Sequence, residues 1–197
     1  MNAADTPNIV TGHAHALKAA NVQALGVYGR LDRCTMEMIQ GLHSAGIGVF
    51  VAYEKGNPTQ ASYFTSDQAH YDAEQFLSWA QAVGFPKGLA PFAAIDDDVT
   101  PAQTEDYVTT FHGALKDEGY LEGLYGSHLV LQHYLDEGYS HASWLAYAPK
   151  WGGSAQEYEA WKPNADIVQG PGATIAGFDC DSDIVQNPGV LWLPEVA

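Results

Sequence analysis

The sequence is poor in basic residues and in cysteine, and each shortage excludes a class of function. Only 8 Lys and Arg stand against 24 Asp and Glu, so the net charge of the 197-residue chain is 8 − 24 = −16. Binding to nucleic acids or to anionic membrane surfaces relies on cationic side chains, so this charge argues against both. Cys34 and Cys180 are too few for a disulfide scaffold and lack the CxxC spacing of zinc and redox sites. We expect two structural thiols, and a disulfide between them is the less favoured alternative.

Long apolar segments and several catalytic motifs are also missing. No stretch approaches the roughly 18 apolar residues of a membrane span, and residues 1–10 lack the basic and apolar regions of a secretory signal. None of the 8 histidines forms HExxH, and the segment GLYGS is not the GxSxG of serine hydrolases. The sequence therefore predicts a soluble chain without membrane insertion and without an export signal of its own.

The chain does contain an alternation of short apolar runs with helical patterns, which is typical of repeated βα units. Apolar residues make up 46% of the sequence, enough for the core of one domain over residues 1–197. The predicted strands cover residues 22–28, 47–53, 89–95, 121–125, 143–147, 165–169 and 174–178, with an abbreviated further strand in the first residues. Helix starts are predicted at Thr35, Thr65, Thr100 and Ser127. Thr100 is the best marked, because Pro101 takes the first helical position and Gln103 completes a capping box.

Strand and helix alternation of this length fits either an open doubly wound sheet or a closed barrel. Phosphate-binding fingerprints such as GxGxxG, which would favour the open sheet, are absent from the sequence. The sequence therefore predicts an α/β fold, and the missing fingerprints argue against the open sheet without excluding it. Because the carboxyl ends of barrel strands converge on one mouth, polar residues after the predicted strands should face one another there.

Asp96 and Asp98 follow directly on a predicted strand and are the strongest candidates for chemistry. Side chains alternate along a strand, so these two would share one face about 6.5–7 Å apart, with Asp97 on the other side. Two such carboxyls suit glycosidic hydrolysis, in which one protonates the leaving oxygen and the other activates water or stabilises positive charge. Two alternatives stay open, namely an acidic turn before the helix at Thr100 and a site for magnesium or calcium.

The order of several motifs resembles that of one protein family. FAAIDDD is followed by GLYGS, WLAY, IVQ and AGFDCD, and the resemblance extends over residues 16–185. These segments are similar to the bacterial and phage glycoside-hydrolase-like domains, formerly a domain of unknown function, that are related to the family 25 lysozymes. The resemblance implies an α/β fold in which a closed (β/α) barrel of the TIM type, with an abbreviated first strand, has an acidic pocket at its mouth.

The resemblance also implies roles for single residues. Asp98 corresponds to the general acid and Asp96 to its positioning or stabilising partner, because the related lysozymes carry Asp-x-Glu where this chain has Asp-x-Asp. Asp98 is one methylene shorter than that Glu, which favours the alternative of a module without turnover. The remaining site positions of the family match Asp5 at the end of the first strand, Tyr125, Trp144, Gln169 and Asp179.

Further candidates come from the predicted strand ends. Glu54 directly follows a strand and is a candidate for an additional acid. Aromatic residues at or after strand ends have flat faces that suit sugar rings; they are Tyr28, Tyr53, Tyr125, Trp144 and Trp151. The predicted substrate-binding set is therefore Asp5, Tyr28, Tyr53, Glu54, Tyr125, Trp144, Gln169 and Asp179.

Together these features predict a glycoside hydrolase that acts on bacterial cell-wall glycan in the manner of a lysozyme or phage endolysin. We expect a monomer with a polysaccharide or peptidoglycan substrate, no nucleic-acid partner, no cofactor and no metal. It would be cytoplasmic before release, or would act outside the cell on the wall after delivery by a phage or another particle. Two other functions remain open, namely a glycan-binding or structural barrel without turnover and a metal-dependent phosphoesterase built on the aspartate cluster.

Overall fold

Eight β-strands form a closed barrel in chain order in the computed structural model, which describes residues 1–56 and 58–194. The strands are β1 (Asn2–Asp5), β2 (Ala24–Tyr28), β3 (Gly48–Tyr53), β4 (Phe92–Ala94), β5 (Gly123–Gly126), β6 (Ala142–Leu145), β7 (Ile167–Ile175) and β8 (Phe178–Val185). The α-helices are α1 (Ala14–Ala19), α2 (Met36–Ser44), α3 (Ser66–Val83), α4 (Pro101–Asp117), α5 (His128–Asp136) and α6 (Ala155–Trp161). Strands β1 to β7 pair in parallel with their neighbours, whereas β8 is antiparallel to both β7 and β1.

The predicted α/β barrel is confirmed, and its first strand is short, with 4 residues. The predicted strand 174–178 is wrong, because β7 runs on to Ile175 and β8 begins only at Phe178. Ala176 and Gly177 between them have positive φ angles of 52° and 89°, the conformation of tight turns that join antiparallel strands. The barrel therefore closes through a β-hairpin, and no helix lies between β7 and β8 in the described chain.

Capping side chains set the helix starts that the sequence predicts. Thr35, Thr65 and Ser127 each accept a hydrogen bond from a backbone N–H in the first turn of their helix. At the start of α4, Gln103 Oε1 accepts a hydrogen bond of 2.9 Å from the backbone N–H of Thr100. These bonds satisfy backbone donors that would otherwise be unpaired at a helix end.

Apolar side chains fill two separate layers. The larger layer lies between barrel and helices and includes Tyr53, Phe76, Trp79, Tyr107 and Phe111. The smaller layer fills the barrel interior, where Trp144 packs edge-on against Phe50 and Phe92 with ring centroids 4.9 and 5.8 Å apart. Val190 and Leu191 are buried in the same inner layer, so the segment after β8 contributes to the barrel core.

Small residues leave space inside the barrel towards the carboxyl ends of the strands. Ala52 and Ala94 face the interior there. At Gly26 an added Cβ atom would lie 2.6 Å from Asp5 Cβ and 2.6 Å from the Phe50 ring, so the close approach of these side chains requires glycine. The interior is therefore packed in one half and open at the mouth.

Two findings bear on the composition of the chain. Within the described ranges, no helix is long and apolar enough to cross a membrane. Cys34 and Cys180 are both buried free thiols, so the less favoured disulfide between them does not form.

Candidate active site

A cavity of about 160 Å³ opens at the carboxyl-terminal mouth of the barrel. Every strand or the residues directly after it contribute to its wall, and Gln169 and Asp181 do so from within β7 and β8. The lining residues are Asp5, Tyr28, Ala52, Glu54, Ala94, Asp96, Tyr125, Trp144, Gln169 and Asp181. The sequence predicted that polar residues after the strands face one another at one mouth. Of the predicted site residues, the structure brings together Asp5, Tyr28, Glu54, Asp96, Tyr125, Trp144 and Gln169.

Gln169 connects the two sides of the cavity. Its Oε1 accepts hydrogen bonds of 3.0 Å from the Tyr125 hydroxyl and 3.0 Å from the Tyr147 backbone N–H. Its Nε2 donates to Asp5 Oδ2 at 3.1 Å. The Tyr125 hydroxyl also lies 3.3 Å from Asp96 Oδ1. The amide orientation is therefore fixed by its partners, and Asp5 and Asp96 belong to one hydrogen-bonded network.

Asp5 and Asp183 form a buried carboxyl pair at the floor of this network. Each side chain is only 3% exposed, and Trp144 Nε1 donates to Asp183 Oδ1 at 3.0 Å. Burial raises the pKa of Asp5 to about 7, and burial together with the charge of Asp5 raises the pKa of Asp183 well above its usual range. The charge of Asp5 disfavours ionisation of Asp183, so Asp183 is the member of the pair that stays protonated. The floor of the mouth therefore holds a proton at neutral pH.

Glu54 and Asp96 face the same cavity in different surroundings. Burial, followed by the negative charge of Asp96, raises the pKa of Glu54 to about 7 against the opposing effects of Tyr28 and Arg30. Burial also raises the pKa of Asp96, and its hydrogen bond from Tyr125 opposes the shift. One acid that keeps its proton near neutral pH and one carboxylate stabilised by a donor are the two groups that glycosidic hydrolysis needs.

Asp98 does not share this cavity, so the prediction that Asp96 and Asp98 lie in one pocket is wrong. Strand β4 ends at Ala94, and the backbone turns at Asp97, whose carbonyl accepts from the Val99 N–H. Strand alternation therefore does not extend to Asp98, which is exposed and accepts a hydrogen bond of 2.9 Å from the Gly152 N–H. Among the described residues, no group of three or more His, Cys, Asp or Glu is arranged to hold a metal ion, so the geometry adds no support to the magnesium or calcium alternative.

Three aromatic or acidic candidates also lie outside the cavity wall. Tyr53 is 1% exposed and packs outward against Phe76 and Phe111, because its strand neighbours on either side face the mouth. Asp179 is exposed on β8, and Trp151 is half-buried in the loop before α6. The structure therefore does not bring these three side chains into the mouth.

Sequence analysis missed Asp181 and Asp183. Both lie on β8, and Asp181 pairs in register with Asp5 across the antiparallel β1–β8 ladder. The signal that could have found them is the spacing of acids in the segment DCDSD, since alternate acids on a strand point to one side. Asp181 and Asp183 were not predicted as site residues because the segment DCDSD was not predicted to form a strand.

Comparisons with known proteins agree on the family and the fold. A family model described as the Rv2525c-like, glycoside hydrolase-like domain matches residues 15–185. The crystal structure of the Tat-secreted protein Rv2525c of Mycobacterium tuberculosis, in complex with HEPES, aligns with a TM-score of 0.79 at 18% identity over 97% of this chain and 98% of that chain. The modular autolysin LytC of Streptococcus pneumoniae, in complex with a synthetic peptidoglycan ligand, aligns with a TM-score of 0.57 at 13% identity over 93% of this chain and 46% of that chain.

A curated relative covers a smaller part of the chain. The uncharacterized protein YbfG of Bacillus subtilis (strain 168) is 33% identical over 72 residues, which are 36% of this chain and 10% of that protein. The chain thus spans only a small part of the length of this relative. At identities below 25%, the two structural neighbours show the shared barrel fold.

Proposed function

Because the chain belongs to the Rv2525c-like, glycoside hydrolase-like domain family, we propose that it hydrolyses glycosidic bonds in bacterial cell-wall glycan. The observation that carries this proposal is the acidic mouth, where Glu54 and Asp96 face one cavity in different electrostatic surroundings. The structural likeness to LytC, which was solved with a peptidoglycan ligand, supports the choice of glycan. Rv2525c is described as Tat-secreted, which supports a place of action outside the cytoplasm.

In this proposal Glu54 is the general acid in place of Asp98. Its raised pKa keeps it protonated near neutral pH, so it can protonate the oxygen of the leaving sugar. Asp96, held by the Tyr125 hydroxyl, is the carboxylate that activates water or stabilises positive charge. Tyr28 and Trp144 line the same cavity and offer ring surfaces to the sugar.

We predict that Glu54→Gln lowers hydrolysis of purified bacterial cell walls by about 10²–10⁴-fold, because an amide cannot donate the acid proton. Release of reducing ends is the measurement. Glu74→Gln makes the same change at an exposed position of α3 and should leave the rate unaltered. Asp98→Asn should also stay close to wild type, because Asp98 lies outside the cavity wall. Full activity of Glu54→Gln would remove Glu54 from the mechanism.

The pH profile adds a second test of the same role. The rate of the wild type should fall as the pH rises through about 7, because Glu54 then loses the proton that it must donate. A rate that stays constant between pH 6 and pH 9 would contradict a general acid with this pKa.

One observation favours a second candidate, a glycan-binding module without turnover. The exposed position of Asp98 means that the Asp-x-Asp segment delivers only one of its two acids to the cavity. Such a module would bind glycan through the mouth and release no reducing ends at any pH. Binding without product, under conditions in which a family 25 lysozyme is active, would decide for the module.

A further inference from the structure

Glu54 gives up its proton in a cavity whose other titratable groups carry no positive charge. The titratable side chains that share this cavity are Asp5, Tyr28, Asp96, Tyr125 and Asp181. The loss of the proton adds a negative charge to this partly buried space, which is costly unless a cation or a hydrogen-bond donor lies close to it. The described residues of the cavity wall include no lysine or arginine, so a compensating cation has to come from beside the wall.

Arg30 reaches Glu54 from the neighbouring loop. It lies two residues after the end of β2, and its Nη1 donates a hydrogen bond of 3.1 Å to the carbonyl oxygen of Glu54. Burial and the charge of Asp96 raise the pKa of Glu54 to about 7, and the guanidinium charge of Arg30 opposes that rise. Lys55, the residue after Glu54, donates from its ammonium group to the Tyr71 hydroxyl instead, at 3.1 Å.

The guanidinium group of Arg30 is fixed by a carboxylate. Its Nε and Nη2 donate to the two side-chain oxygens of Asp32 at 3.1 and 2.8 Å, which is the bidentate geometry of a guanidinium fork. Three donors of one planar group are therefore engaged at once, two with Asp32 and one with the Glu54 carbonyl. The Arg30 side chain is 20% exposed, so solvent screens its charge less than that of a surface cation.

The backbone at Arg30 is held as well. The Gly29 N–H donates to the Ala52 carbonyl at 2.7 Å, so pairing with β3 continues past the end of β2. The Arg30 carbonyl accepts hydrogen bonds from the N–H groups of Arg33 and Cys34 at 3.0 and 2.9 Å. The side chain therefore starts from a fixed backbone and ends in a fixed fork.

We propose that Arg30 is a positioning residue, which fixes the backbone of Glu54 at the mouth and stabilises the carboxylate that Glu54 becomes when it gives up its proton. The inference rests on the proposed function, in which Glu54 is the general acid. A cation already in place where negative charge develops stabilises the transition state more than the ground state. Arginine stays charged throughout the working range of pH, so this support does not itself titrate.

The test follows the side-chain carboxyl of Glu54 by ¹³C NMR in a pH titration of the whole protein, with the signal assigned by its absence from Glu54→Gln. Arg30→Gln removes the charge, so we expect the midpoint of the Glu54 titration to rise by about 0.5 pH unit or more. Arg30→Lys keeps a charge at this position without the fork and should keep the midpoint close to that of the wild type. A purely structural role would alter the stability of both variants without separating their midpoints.

Arg33→Gln is the matched control, because it removes the same charge from the same loop. Arg33 is exposed and donates to the Pro7 carbonyl at 3.3 Å. This variant should leave the Glu54 midpoint unchanged. An unchanged midpoint in Arg30→Gln, or an equal rise in Arg33→Gln or in Arg30→Lys, would overturn the role of Arg30.

Reducing-end release from cell walls separates this result from the proposed function. If both proposals hold, Arg30→Gln hydrolyses more slowly below pH 7, and the fall of its rate at high pH moves upward together with the Glu54 midpoint. A raised midpoint in a protein that releases no reducing ends at any pH would support the pairing of Arg30 with Glu54 and contradict the hydrolase. Hydrolysis by the wild type with an unmoved midpoint in Arg30→Gln would support the hydrolase and overturn the role of Arg30.

Discussion

Among single residues, Asp5 has the most constrained environment in the mouth. It accepts a hydrogen bond from Gln169, forms a buried pair with Asp183 and is only 3% exposed. A buried carboxylate is costly unless donors surround it, so the protonated form is favoured and the pKa rises to about 7. Gly26 provides the space that allows this side chain to point inward. Asp5 therefore couples the stability of the barrel to pH.

We predict that Asp5→Asn removes part of the pH dependence of stability. The pKa of Asp5 is raised from 3.8 to about 7, so its stabilising effect is complete below pH 3.8 and is lost as the pH rises through about 7. Over that interval this residue lowers the free energy of unfolding by up to about 1.4 kcal/mol per pH unit. Asn mimics the protonated acid, so the variant should be more stable than the wild type at pH 8.

Urea unfolding at pH 5 and pH 8 measures this difference. Asp117→Asn alters an exposed carboxyl at the end of α4 and should retain the pH dependence of the wild type. An Asp5→Asn variant that is less stable than the wild type at pH 8 would show that the charged form is the one the barrel favours.

The sequence predicts well those helices and strands whose ends are marked by short local motifs. The N-caps at Thr35, Thr65 and Ser127 act within one helical turn, so a short segment contains all the information. The hairpin of β7 and β8 was not predicted because the predicted strand 174–178 runs across the turn at Ala176 and Gly177. The pairing of β8 with β1 joins opposite ends of the described chain, so no short segment contains both partners.

The site residues follow the same rule. Asp96 and Glu54 were placed correctly at the mouth, since alternation along a strand reaches one or two residues past its end. Alternation also places the side chain of Tyr53 on the face opposite to its neighbour Glu54, outside the mouth. The predicted substrate-binding set included Tyr53 because alternation was not taken into account at this position. The position of Asp98 was predicted wrongly because the backbone turns at Asp97. That turn depends on a backbone hydrogen bond that cannot be read from the sequence.

A buried polar cluster outside the barrel connects three elements. Asp72 of α3 is fully buried and accepts hydrogen bonds from Tyr63, from Gln68 and, at 2.9 Å, from Tyr107 of α4. The Tyr63 hydroxyl also contacts the carbonyl of Lys55, the residue after Glu54. The cluster therefore anchors the β3–α3 loop, at the residue after Glu54, to the two longest described helices.

We predict that Asp72→Asn destabilises the fold by about 1–3 kcal/mol, because an amide group replaces an acceptor oxygen among hydroxyl donors. Thermal or urea unfolding gives the free energy. Glu74→Gln removes one charge on the exposed side of the same helix and should change it by less than about 0.5 kcal/mol. Equal stability of the two variants would mean that the cluster does not stabilise the loop.

For the whole molecule, the net charge of −16 is the dominant property. Like charges repel one another more strongly in the compact state than in the extended chain, so this excess destabilises the fold. Several of the acids converge at the mouth, where burial and, after it, the negative charge of neighbouring acids raise the pKa values of Asp5 and Glu54. Dissolved salt should therefore act on stability as well as on binding.

We predict that raising sodium chloride from about 0.01 to 0.1 M, which shortens the screening length from about 30 to 10 Å, stabilises the protein at pH 7. A gain of about 1 kcal/mol corresponds to a rise in Tm of about 2–4 °C for a domain of this size. Calorimetry at pH 4.5, close to the sequence pI of about 4.5, is the control, because the net charge vanishes there. An equal rise of Tm at both pH values would exclude charge repulsion as the cause.

Closure of the barrel by β8 has a consequence for biosynthesis. Asp5 leaves the ribosome before Gln169, to which it is hydrogen-bonded across 164 residues of chain, and Asp183 follows later still. A nascent chain that has emerged only as far as β7 has neither the floor of the mouth nor the completed β7–β8 hairpin. Contacts of such long sequence separation form late because loop closure must precede them. A chain that lacks β8 is therefore without a complete mouth, and the site exists only once β8 has been synthesised and has paired with β1 and β7.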